Sequence, residues 1–159
     1  MPAFAGTEDR AYSIADRVRT LLKSANDIDP AKVHLGRAYT IGEQEMPCLS
    51  VEIGEDTPLD VGQINSATYD SLLLIEVDIY HRQYGELAIA ELHKQRSLIH
   101  FAVMADRTLG LSYVQDVQYA GAGRPLKDNE GGLPGYVMTV PFIVQYRFDV
   151  QDRTTTFGA

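Results

Sequence analysis

A chain of 159 residues with a net charge of −8, 45% hydrophobic and 23% charged, is long enough for one domain with its own core. That acidity argues against a nucleic-acid-binding surface, which needs a basic patch, and no apolar run nears the roughly 18 residues of a membrane span. Cys48 is the only cysteine, which excludes an intrachain disulfide, and the start MPAFAGTEDR lacks the basic-then-apolar order of a secretory signal.

Residues 1–7 read as an N-terminal arm. Thr7, followed by Glu8 and Asp9, predicts a helix start, with a hydroxyl cap and two acids at the positive end of the dipole. Ala11, Ile14, Ala15, Val18, Leu21, Leu22 and Ala25 then recur at helical spacing, with Arg10, Asp16, Arg17, Arg19 and Lys23 largely off that stripe. Asn26-Asp27 and Asp29-Pro30 stop the helix. Val33 to Ile41 alternates as a strand, and Gly42 to Glu45 is a turn. Cys48 to Ile53 reads as the second strand of a hairpin. Gly54–Ala67 is read as a long polar loop, of the length that serves function.

Ser71–Tyr80, SLLLIEVDIY, is the most strongly patterned stretch. Ser71, Leu73, Ile75, Val77 and Ile79 form one nearly apolar face; Leu72, Leu74, Glu76, Asp78 and Tyr80 form the other, which turns acidic along its length. Its length predicts a central strand. A helix is expected from about Glu86 to Ala105, with Leu87, Ala88, Leu92, Leu98, Ile99, Ala102, Val103 and Ala105 on one broad face. Glu91 and Gln95 interrupt that face. They belong either to a solvated overhang or to a contact with a neighbouring subunit.

Leu111–Tyr119 alternates again, and Gly121–Gly135, with five glycines and two prolines, is read as a mobile loop carrying Arg124 and Lys127. Tyr136–Val150 is the last long strand. Pro141 has no N–H to donate, which places it at an edge or a bulge. Arg147 could balance Glu76 or Asp78 across the ladder. Residues 151–159 form a polar tail. The order α-β-β-β-α-β-β predicts an α+β, two-layer single domain, its two main helices packed on a mainly antiparallel β-sheet.

No catalytic, cofactor-binding or metal motif stands out. His34, His81, His93 and His100 have no partners at metal-ligand spacing, and no phosphate loop, dinucleotide fingerprint or nucleophile elbow is present. Glu76 and Asp78 share a strand face, yet a solvated or salt-bridged face explains them without acid–base chemistry. Cys48 reads as a small inert thiol.

The segments MPCLSVEIGED, SLLLIEVDIYHR, AIAELHKQRSLIHFAVMAD and PFIVQYRFDV, in that order behind a capped amphipathic helix, carry a likeness. Over about residues 8–150 the chain resembles the tail terminator (tail completion) proteins of long-tailed bacteriophages, the minor-tail-protein group typified by phage lambda. The resemblance implies a structural virion protein of the tail neck, assembled in the host cytoplasm. It implies a ring of six subunits that caps the tail tube, stops its polymerisation and meets the head-side connector. It also implies no enzyme activity and no cofactor, and DNA that passes through the lumen without specific binding, repelled by acidic subunits. On that view Leu72, Leu74, Glu76, Asp78, Glu91, Gln95, Arg124, Lys127 and Arg147 are candidates for subunit or partner contacts. The alternatives are another neck component, such as a head-closure or tail-adaptor protein, or a small bacterial α+β binding domain or enzyme.

Overall fold

The computed structural model describes residues 9–25, 27–36, 47–59, 68–81, 85–128 and 135–149. Helix α1 spans Arg10–Lys23, and Asp9 rather than Thr7 caps it, its side chain accepting from the backbone N–H groups of Ala11 and Tyr12. Thr7, the N-terminal arm and the C-terminal tail lie outside the described residues. The buried stripe of α1 is Ala11, Ile14, Ala15, Val18 and Leu22, as its spacing predicts, but it also includes Arg10. That guanidinium lies 4.7 Å above the Tyr113 ring and donates to the Arg147 carbonyl, so its charge is stabilised while its stem is buried.

After a short 3₁₀ turn over Pro30–Lys32 come strands β1 (Val33–Leu35), β2 (Cys48–Pro58) and β3 (Thr68–His81). Helix α2 (Glu86–Met104) follows, then β4 (Val114–Tyr119), β5 (Leu126–Asp128) and β6 (Gly135–Asp149). The sheet order is β1-β2-β3-β6-β4, with β5 also paired to β6. The fold is therefore α+β, with two helices on a mainly antiparallel sheet. The expected hairpin is absent: β1 runs parallel to β2, Val33 opposite Leu49. Residues 36–47 separate them, about the length that a parallel return needs. The remainder of the expected first strand, 37–41, lies outside the described residues.

Two further expectations are corrected. Gly54–Ala67 does not begin as a loop, because β2 continues through it to Pro58. Its alternation breaks at a β-bulge: Ile53 pairs with Ile75, but Asp56 pairs with Leu73, one residue later than a regular ladder would place it. The extra residue reverses the phase of the strand, so that Asp56 rather than Glu55 points to the helix side. There its carboxylate accepts from the Tyr146 hydroxyl at 2.6 Å and from the Ser71 hydroxyl. Likewise Gly121–Gly135 contains β5, whose Lys127 pairs with Tyr136.

The β3–β6 ladder, Thr68 opposite Asp149 through His81 opposite Tyr136, runs without interruption and is the spine of the sheet. Pro141 does not disturb it. The Pro141 carbonyl accepts from Ala120 on the β4 side, so its missing N–H faces that same side, where β4 pairing stops at Tyr119. Ser71, Leu73, Ile75, Val77 and Ile79 of β3 are fully buried, with Met138, Val140, Phe142, Val144 and Tyr146 of β6 beside them. On them α1 and α2 lay their apolar stripes, α1 over β1 and β2, α2 over β3, β4 and β6. Each such side chain contributes roughly 1.5–3 kcal/mol.

The buried stripe of α2 is Ala88, Leu92, Gln95, Ile99 and Val103, with Leu98 and Ala102 packed partly buried against the core, so the expected face holds apart from Leu87 and Ala105 and gains Gln95. Leu87 and Phe101 stand in solvent, 86% and 78% exposed. Beyond α2 the backbone turns through two successive left-handed residues, Leu109 (φ 55°) and Gly110 (φ 69°). Leu109 is fully buried and its carbonyl accepts from Arg17 at 2.8 Å, so packing and a side-chain donor hold a conformation that leucine disfavours.

Candidate assembly interface on the open sheet face

Both helices cover one side of the sheet. The other side is built from the alternate residues of the same strands. From one end to the other, β3 presents Asp70, Leu72, Leu74, Glu76, Asp78 and Tyr80 there. Opposite them β6 presents Arg147, Gln145, Ile143, Pro141, Thr139 and Val137. Beside them β2 presents Glu52 against Glu76, Ser50 against Asp78 and Cys48 against Tyr80. Leu72, Leu74, Glu76 and Asp78 are all half-buried, as is Ile143.

Leu74 rests on the β2 backbone at the bulge. A Cβ on Gly54 would fall 2.9 Å from its Cδ2, which explains a glycine there without any appeal to backbone freedom. Glu76 sits between Glu52 and the proline ring of Pro141. Its pKa is raised, first by burial, then by the charges of Asp78 and Glu52. Asp78 is better served: Thr139 donates to it at 2.7 Å and Tyr80 at 3.4 Å. Glu52 accepts from Ser50 at 2.7 Å. Like charges held close on a half-buried face are an arrangement that an incoming cation would relieve.

Arg147 is not the counter-ion of this cluster. The register sets it opposite Asp70, to which its Nε donates at 2.9 Å, and Gln145 donates to the same carboxylate at 3.3 Å. Glu76 lies six residues further along β3, about 20 Å at the rise of an extended strand. The alternating pattern placed Arg147 on the correct face, but the offset between two strands is set by their pairing.

The other candidates fall elsewhere. Gln95 lies within the buried stripe of α2 and donates to Glu91 at 3.0 Å. The two line a cleft of about 180 Å³ beside Asp27, Asp29, Lys32 and Leu49, so the pair belongs to the interior edge of this fold rather than to a solvated overhang. Burial lowers the pKa of His81, and the charge of Glu91 offsets part of that. Arg124 precedes β5 and Lys127 lies on it; both are exposed, at the end of the sheet away from Arg147. The structure thus unites Leu72, Leu74, Glu76 and Asp78 and separates the remaining five.

Glu52 and Ile143 join that surface and were not among the expected residues. Glu52 falls on the outward side of its own alternation, but nothing in β2 alone places it beside Glu76. Among the described residues no three His, Cys, Asp or Glu side chains are grouped to hold a metal. Cys48 is buried beside Tyr80. Among the described residues no helix is long and apolar enough to cross a membrane.

No protein-family model and no curated protein matches this sequence. Among solved structures, the fold is similar to that of a chain in the virion of a native gene transfer agent (GTA) particle. The likeness has a TM-score of 0.51 at 9% identity and covers 93% of this chain and 100% of that one. At that identity the likeness is one of fold.

Proposed function

We propose that this chain is a structural virion protein, not an enzyme, and that it acts as a tail terminator. Its copies form a ring, a hexamer on the family resemblance, that caps the tail tube, halts its growth and joins it to the head-side connector. The single observation that carries this reading is the shared fold, which spans the whole of a chain from a gene transfer agent virion. The sheet face away from the helices fits the same reading, because Leu72 and Leu74 lie half-buried on a stretch that no described helix covers, and such leucines ask for a neighbour. The partners are then other copies of the chain, the tail tube protein and the connector, with no cofactor and no membrane. At −8 per copy, a ring repels a duplex that carries one negative charge per roughly 1.7 Å, so DNA slides through the lumen unbound.

Imaging the assembled particle at subunit resolution tests this directly. The expected result is a ring of this chain between the end of the tail tube and the connector. A position against the portal instead would assign it to head closure or tail adaptation. A chain that is monomeric both in solution and in the particle would end the ring reading.

A further inference from the structure

The outward side of α2 differs from the rest of this acidic chain. Leu87, Lys94, Ser97 and Phe101 recur at helical spacing along it, all exposed. Between Leu92 and Ala105 the helix carries Lys94, Arg96, His93 and His100 and no acid. Neither Lys94 nor Arg96 forms an ion pair with any described residue. Phe101 stands as a ridge between two grooves. One, of about 370 Å³, is lined by Leu21, Ser24, Ala25, Leu98, Phe101 and Ala102. The other, of about 390 Å³, is lined by Arg96, Ser97, His100, Phe101 and Tyr119. An exposed aromatic flanked by grooves and cations is the composition of an interface centre.

The open sheet face has the complementary character: apolar at Leu72, Leu74 and Ile143, acidic at Glu52, Glu76 and Asp78. The two surfaces lie on opposite sides of the two-layer domain, since α2 covers the other side of the sheet. We propose that the Lys94–Phe101 ridge of α2 in one copy, with Arg96 in the groove beside Phe101, docks on the Leu74–Glu52–Glu76 face of the next copy. Such a contact is head-to-tail: each copy uses one face to give and the other to receive, and repetition of the step closes into a ring when the rotation allows. This inference rests on the ring reading above and adds which surfaces meet. Like charges gathered around Glu76 on the receiving face gain when Lys94 and Arg96 arrive, and the leucines gain when Phe101 covers them.

Two charge-reversed proteins test it. Lys94→Glu/Arg96→Glu alters only the giving face, and Glu52→Lys/Glu76→Lys only the receiving face, with folding checked by circular dichroism. Sedimentation velocity should show each alone shifted to monomer, with association weakened about a hundredfold or more. An equimolar mixture should assemble again, because the reversed giving face of one variant complements the reversed receiving face of the other, their native faces still match, and copies alternate around the ring. Phe101→Ala, at a position outside the core, should weaken association about tenfold, so the test survives if a charge-reversed protein does not fold. Variants that assemble like the wild type, or a mixture that stays monomeric, would overturn this pairing of faces while leaving the ring intact. Loss of tube or connector binding with self-association unchanged would assign the acidic face to another protein and overturn it too. A wild-type chain that is monomeric in solution and in the particle would remove the ring and this interface together.

Discussion

Replacing Tyr146 by phenylalanine probes the polar knot that the β2 bulge creates inside an otherwise apolar sheet face. Tyr146 is fully buried, and its hydroxyl donates at 2.6 Å to Asp56 Oδ2, while the buried Ser71 hydroxyl donates to Oδ1. The substitution keeps the ring, and with it the tilted contact to Phe148 at 5.8 Å, so only the hydroxyl is lost. A hydrogen bond to a charged group is worth about 1.5–3 kcal/mol. Tyr146→Phe should therefore cost about 2 kcal/mol, a fall in Tm of about 4–8 °C for a chain of this size. Asp56→Ala strands two buried donors and should cost more, about 3–5 kcal/mol. Urea unfolding followed by circular dichroism gives both values, and the double variant gives the coupling. Tyr146→Phe in the Asp56→Ala background should be at least about 1 kcal/mol milder than alone. Strictly additive losses, or a Tyr146→Phe protein within about 0.5 kcal/mol of wild type, would refute the reading that the Tyr146 hydroxyl and the Asp56 carboxylate stabilise each other inside the sheet.

Glu76→Gln should stabilise the protein at neutral pH. The folded pKa of Glu76 is raised, so the native state holds its proton more tightly than the unfolded chain, and stability falls as pH rises from the unfolded value of 4.5 through the folded one. Thermal unfolding should show the variant above wild type at pH 7 and level with it near pH 3; curves that coincide throughout would dismiss the carboxylate cluster as a source of strain. Gly54→Ala should cost about 1–3 kcal/mol, because the new methyl meets Leu74, and Leu74→Ala should absorb most of that cost. By contrast Arg147→Ala, whose side chain is 50% exposed, should lose less than about 1 kcal/mol in chemical denaturation, and that little should vanish in high salt.

The fold was legible wherever one period ran long enough. The α1 stripe, the apolar face of β3, the extent of α2 and the alternation of β6 all follow from spacing alone. What spacing could not show was any relation between segments. The parallel run of β1 beside β2 has no local signature. The bulge hid the far half of β2, since one inserted residue breaks the alternation just where Glu55, Asp56, Thr57 and Pro58 look like loop. Three residues of β5 were lost among the surrounding glycines and prolines for a similar reason: a short strand borrows its regularity from its partner. Register decided the site. Leu72, Leu74, Glu76 and Asp78 were legible together because they share a strand, whereas Glu52 and Asp70 entered only when two ladders fixed their offsets. Leu87 was misplaced because apolar identity was taken for burial, and Gln95 because polarity was taken for exposure; its hydrogen bond to Glu91 makes its burial tolerable.

Pro141 also bears on how copies of this chain avoid pairing strand to strand. On the side of β6 away from β3, β4 covers residues up from Phe142, Ala120 donates to the Pro141 carbonyl, and β5 covers residues down from Val137, which leaves a short window, Met138 to Val140, with no strand partner there among the described residues. Proline at the rim of that window withholds a donor from any strand that tries to enter. The outer strands are short as well, three residues in β1 and six in β4. Main-chain zippering, which is indifferent to sequence, is thus poorly supported at these borders. In the proposed ring, recognition between copies then falls to side chains, which evolution can retune one at a time.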